Sequence, residues 1–207
     1  MRFLIAIILM PLCFMHPGVA MANAAAPVLL DRLVLEVNKV SFTQRQFELY
    51  MALKSILEQG TAGQVELVTE RNWSSQLQSF KNEMLVEQEA SRLSSVQPNR
   101  KMVEASKRMV DNKRQGDLIF SSFLHRVRAN DTNIRRTLAL VMRVKGFVIS
   151  RQRQRTGRVA AKQRKGVLDK DADWFQDLER RVPYRIYEGA RKWQPVQLDN
   201  LGPSTSR

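Results

Sequence analysis

The chain has 207 residues, of which 43% are apolar and 26% charged, and it carries a formal net charge of +14. A single cysteine and two histidines leave no intramolecular disulfide and no multi-histidine zinc centre. So large a cationic excess predicts either an anionic partner or a heavily solvated basic surface.

Residues 1–24 hold one charge, Arg2, then an apolar run from Phe3 to Phe14. A helix-breaking His16-Pro-Gly18 and small residues ending in Ala22-Asn-Ala24 follow. A charged start, an apolar stretch too short to span a bilayer and an A-x-A site together predict a signal peptide cleaved near Ala24, and hence a periplasmic protein. Leu12 stands where lipidation of Cys13 would need a small residue, so a soluble product is expected. Cleavage removes Cys13 and His16, which leaves no thiol chemistry and His125 as the last histidine.

Leu33, Leu35 and Val37 alternate with Val34 and Glu36, the period of an extended chain with one face more buried than the other. Asn38-Lys39 predicts a tight turn, because Asn tolerates the left-handed region, and a second short strand reaches Phe42. Thr43 can cap the next helix while Gln46 reaches back, as in a capping box. Phe47, Tyr50, Met51, Leu53, Ile56 and Leu57 then give an amphipathic helix that Gly60 stops. A loop over 61–69 follows. Between Glu70 and Leu93, Trp73, Leu77, Phe80 and Met84 recur at helical spacing.

Pro98 suits the first turn of a further helix to about Gln115, with Met102, Ala105 and Met109 on one side. Gly116-Asp117 breaks the chain. The next helix, to about Ala129, carries Ile119, Phe120, Phe123, Leu124 and Val127. Asn130-Asp-Thr132 forms a turn able to cap a long helix from Asn133 to about Arg153. Ile134, Leu138, Val141, Met142, Val148 and Ile149 lie along it, and Leu140, Val144 and Phe147 broaden its apolar surface. A helix this apolar either occupies the centre of its domain or lines a groove, while Arg143 and Lys145 argue against a membrane span.

From Thr132 to Leu168 there are eleven Lys or Arg and no Asp or Glu. Two readings stand: a surface for an acidic protein or an anionic envelope component, or a solvated helix face. Nucleic acid is not expected in that compartment. Residues 151–170 read as a basic connecting segment. Asp173 can cap a short helix holding Trp174, Phe175 and Leu178, which Pro183 ends, and Tyr184 to Glu188 alternates like a strand. The organisation expected is a signal peptide over 1–24, one domain over 25–195 and a tail over 196–207.

No catalytic constellation, cofactor motif or metal site emerges. His125 sits on a helix whose apolar face accounts for it. Asp169, Asp171 and Asp173 lack both the glycine and the closing glutamate of a calcium loop.

The hairpin Leu33 to Phe42 with its capped helix resembles the start of the SurA family of periplasmic outer-membrane-protein chaperones. So do Val96-Gln-Pro98, Phe120, Leu124, the turn at Asn130-Asp131 and Ile134-Arg-Arg136 opening a long helix. Trp174-Phe-Gln-Asp-Leu-Glu-Arg-Arg-Val-Pro-Tyr-Arg-Ile-Tyr187 is similar to that family's last helix and strand. The resemblance implies a mostly helical fold with a small antiparallel sheet, in which the N-terminal hairpin is completed by the C-terminal strand. Members carry two parvulin-type prolyl isomerase domains. Here the interval 151–170 is too short for even one domain, so a chaperone-like protein without isomerase activity is expected.

By the same resemblance, the protein would bind unfolded exported polypeptides without ATP in an apolar groove. Phe80, Met84, Phe120, Phe123, Met142 and Phe147 are the expected lining, because aromatic rings and flexible thioethers suit a site that accepts many sequences. An adaptor with one fixed envelope partner is the other function compatible with these features.

Overall fold

A computed structural model describes residues 31–159 and 167–192, with the side chains of 154–172 and 191 outside that description. The expected signal peptide, residues 160–166 of the basic connecting segment and the expected tail therefore fall outside the described residues, and the rest of that segment is helical. The chain is mostly helical with one three-stranded antiparallel sheet, as the sequence predicts.

The sheet forms from β1 (Leu33–Val37), β2 (Val40–Thr43) and β3 (Tyr184–Ile186), in the order β2-β1-β3. Asn38 and Lys39 both take left-handed φ values, 48° and 67°. That makes a two-residue turn whose twist matches the flanking strands. Pairing runs from Val37 opposite Val40 to Leu33 opposite Thr43, with a register irregularity between Leu33 and Leu35. The irregularity adds Val34 to the buried set beside Leu35 and Val37, and Leu33 is left exposed. Strict alternation misses this switch.

On its other edge β1 pairs with β3, Leu35 opposite Ile186 and Val37 opposite Tyr184, so the C-terminal strand does complete the hairpin. The strand is shorter than expected, since Glu188–Arg191 turns into a 3-10 helix. That turn is tied down too. Trp73 donates its indole N–H to the Ala190 carbonyl at 2.6 Å, and Arg32 donates to the carbonyls of Gly189 and Lys192.

Helix α1 (Gln44–Gln59) opens on the predicted capping box, with Thr43 and Gln46 bonding reciprocally. It ends at Gly60, whose φ of 76° suits glycine. Helix α2 (Trp73–Ala90) buries the predicted stripe Trp73, Leu77, Phe80 and Met84. Helix α3 (Arg100–Gly116) is capped by the Asn99 side chain, so Pro98 precedes the helix rather than opening it. Its inward face also differs from expectation. Met102 and Ala105 are exposed, whereas Ser106, Lys107 and Val110 are buried. Lys107 tolerates burial because Asp111 and Asp131 hold its ammonium at 2.6 and 3.2 Å.

Asp117 caps α4 (Leu118–Arg126), and Asn130 accepts from the Asn133 amide near the start of α5 (Asp131–Val159). Helix α6 (Val167–Arg181) begins six residues before Asp173, which thus lies inside the helix and is not its cap.

Among the described residues, two apolar clusters fill the interior. The first packs the sheet against α1, α2, α5 and α6, around Phe47, Trp73, Phe80, Met84, Val144 and Leu178. The second joins α1, α3, α4 and α5 through Leu53, Ile56, Val110, Phe120, Phe123 and Leu138. Helices α1 and α5 contribute to both, which is why neither has an apolar stripe of ordinary width.

That position forces a polar group inside. Glu48 on α1 is buried, accepts from the Gln44 amide at 2.6 Å and lies 3.2 Å from the Arg126 guanidinium. The latter contact is ionic, because Oε2 receives no aligned hydrogen bond. Burial raises the carboxyl above its ordinary value, and Gln44 and Arg126 offset this only in part. A raised folded value means that the native state holds the proton more tightly than the unfolded chain. This contribution therefore weakens stability as pH rises above the usual carboxylate range. Glu48→Gln should stabilise the protein at pH 7 by about 1 kcal/mol. Arg126 is not stranded, since it is partly exposed and lies over the Phe123 ring. Urea denaturation of both proteins at pH 7 and pH 4 checks this, and the advantage should vanish at the lower pH.

Candidate functional site

The residues expected to line a groove are mostly core. Phe80 and Met84 are fully buried in the first cluster, and Phe147 joins them. Phe120 and Phe123 lie in the second cluster with rings stacked 6.1 Å apart. Met142 is half-buried, its sulfur accepting from the Ser106 hydroxyl at 3.7 Å. With five of the six split between two interiors and Met142 in neither, they do not form one surface, and this corrects the expected lining. The reason is geometric: the largest aromatics are the ones a two-cluster core needs most.

An apolar cleft exists elsewhere. Past Leu138, α5 diverges from the second cluster, and its broad apolar face exceeds what α1 and α2 cover. Val141 and Val144 are buried, but Val148 and Ile149 remain 39% and 38% exposed. With Leu57 at the end of α1 they line a cleft of about 220 Å³, open on one side. The sequence shows these residues as apolar, and nothing in their spacing separates them from the core.

The cleft has a fixed polar rim. Glu83 on α2 accepts from the Tyr50 hydroxyl at 2.5 Å and from Ser79 at 3.1 Å, and pairs with Lys54. Burial and the neighbouring Glu83 push the Tyr50 phenol well above its ordinary value, so it stays a neutral donor. Lys145 donates to the Leu57 carbonyl at 3.5 Å. Glu83 is thus held by three partners, and the rim presents Lys54, Glu58 and Lys145 around an aliphatic floor. Such a site can accept an aliphatic or aromatic side chain and exclude water from it. It contains no nucleophile–base pair.

Behind the cleft, Glu87 and Arg143 form a mostly buried ion pair between α2 and α5. Burial raises the Glu87 carboxyl, with Arg143 opposing. The pair links α2 to the helix that carries Val148 and Ile149.

His125 is exposed on α4. Among the described residues no group of three or more His, Cys, Asp or Glu could hold a metal ion, and no helix is long and apolar enough to cross a membrane. Of the aspartate series, Asp173 is exposed, and the side chains of Asp169 and Asp171 lie outside the described residues.

No protein-family model, curated protein or solved structure matches this chain.

Proposed function

We propose that the protein is an ATP-independent periplasmic chaperone-like binder of unfolded exported polypeptides, SurA-like in kind but without isomerase domains. The observation that carries this reading is the cleft beside α5, where Val148 and Ile149 stay half-exposed above a rigid polar rim. A shallow aliphatic site suits weak, sequence-tolerant capture of single side chains, and clients held this way leave without an energy source. The apparent signal peptide and the SurA-like N- and C-terminal segments support the compartment and the class of client. The site performs no chemical step; it holds and releases.

Aggregation of an unfolded outer-membrane protein, followed by light scattering with and without the protein, tests the reading. Ile149→Glu should weaken suppression several-fold and leave the melting temperature within about 1 °C, because an exposed surface change is worth less than about 0.5 kcal/mol. Full suppression by that variant would remove the cleft from the mechanism.

The adaptor reading has one observation of its own. Leu118 and Ile119, at the start of α4, are 85% and 73% exposed and form a protruding apolar tip. Tight, saturable binding to one envelope protein, with no suppression of generic aggregation, would favour it.

A further inference from the structure

A second recess, of about 220 Å³, adjoins the α5 cleft. It lies between α1, the 61–69 loop and the first turns of α2, and it shares Lys54 and Glu58 with the cleft as a common wall. The rest of its lining is polar, with Ser55, Glu66 and Gln76 prominent and Met51 as its apolar contribution.

The charges in this recess do not cancel. Lys54 is taken by Glu83 on the cleft side. Glu58 is exposed and joins no ion pair among the described residues. Glu66 meets only the neutral amide of Gln76, which donates to its Oε1 at 2.6 Å. Two carboxylates are thus left without a counter-charge in a chain whose net charge is +14. The recess is also held in shape. The Glu66 N–H donates to the Ser55 hydroxyl at 3.0 Å, which pins the loop to α1, and Lys113 donates to the Gly63 carbonyl at 2.9 Å. Ser55 is only 5% exposed, and its hydroxyl proton reaches no acceptor among the described residues. It therefore keeps a donor and a lone pair for a group that enters.

We infer that this recess is a subsite for a cationic side chain, so that cleft and recess together take an extended segment bearing an aliphatic residue and, two positions away, a Lys or Arg. The subsite rests on the client-binding reading of the cleft and names the segment that reading selects. Side chains two positions apart lie on one face of an extended chain, about 7 Å from each other. That spacing suits two recesses divided by a single row of side chains. Glu58, Glu66 and the Ser55 lone pair offer acceptors to the several N–H groups of an ammonium or guanidinium. An acidic residue in the same place meets two like charges, so the recess selects by repulsion as well as by attraction. The overall positive charge of the chain favours acidic segments at long range. A preference for a cation beside the aliphatic residue is therefore a signature of this recess and not of the general field.

The test uses the full chain and labelled peptides of Gly and Ser that carry one Ile and, two positions on, Lys, Gln or Glu. Binding is followed by fluorescence anisotropy at physiological ionic strength. The Lys peptide should bind about threefold to fivefold more tightly than the Gln peptide, the scale of an exposed ion pair, and the Glu peptide should be the weakest of the three. In Glu66→Gln the Lys preference should fall below about twofold, while affinity for the Gln peptide stays at the wild-type level. The melting temperature of this variant should stay within about 1 °C, because the side chain is exposed and glutamine can still accept from Gln76. Equal binding of the three peptides by the wild type, or a Lys preference undiminished in Glu66→Gln, would overturn the subsite and leave the client reading in place. Binding of none of the peptides also overturns the subsite, and it takes the client reading with it only if aggregation of the unfolded client is not suppressed either.

Discussion

Deletion of residues 171–207 should abolish cooperative unfolding altogether rather than trim a dispensable end. The deletion strips β1 of one of its two partners, and an isolated hairpin is marginal in water. It also empties the first core cluster of Leu178, Val182 and Ala190. Losing a buried leucine alone typically costs about 2–5 kcal/mol. Lys81 loses its partners as well. This lysine is only 3% exposed, yet its ammonium pairs with Glu179 at 2.5 Å and lies 4.8 Å above the Tyr184 ring. Both partners are on the returning segment. Removing them takes away the ion pair and the ring over the ammonium together, and Lys81 is left facing water in place of a packed interface. Trp73 loses the Ala190 carbonyl at the same time. Together these losses approach or exceed the whole stability of a domain, about 5–15 kcal/mol. Thermal melting by circular dichroism decides the matter. A deleted protein that melts cooperatively at the wild-type temperature would show that β3 contributes nothing to the fold.

Much of this architecture is legible in the sequence because its signals are local. Asn38-Lys39, the Thr43–Gln46 capping box, Gly60 and the four-residue stripe from Trp73 to Met84 each act within a few positions. The partnership of β3 with β1 was readable only through the resemblance, since alternation in Tyr184 to Ile186 announces a strand and not its neighbour. What stays hidden depends on residues far apart in the chain. Lys107 looks like a solvated charge until Asp131 is placed beside it, and the face of α3 is misassigned in consequence. The extra buried residue at Val34 comes from a register irregularity that no pattern of apolar residues reveals. The candidate site is the least legible part. Phe80 and Ile149 are equally apolar on paper, and only packing decides that one is core and the other cleft.

That distinction between core and cleft yields the second large effect. Phe80→Ala should cost about 3–5 kcal/mol of stability, as expected for an aromatic truncated inside a well-packed core. Phe80 is the hub of an aromatic group, with Phe42, Phe47 and Tyr50 at centroid distances of 5.4, 5.1 and 5.2 Å. Edge-to-face and tilted pairs of this kind add to the area buried, so the loss should fall in the upper part of that range. No neighbour is placed to refill the space, because Phe47 is already held against Trp73 and the Tyr50 hydroxyl is tied to Glu83. Below its lowered melting temperature the variant should still suppress client aggregation, since the α5 cleft does not include Phe80. The opposite pattern is expected of Ile149→Glu, with stability retained and suppression weakened. Urea denaturation and light scattering on the same two variants separate the roles. A Phe80→Ala protein that keeps wild-type stability but loses client binding would return that ring to the binding surface and remove it from the core.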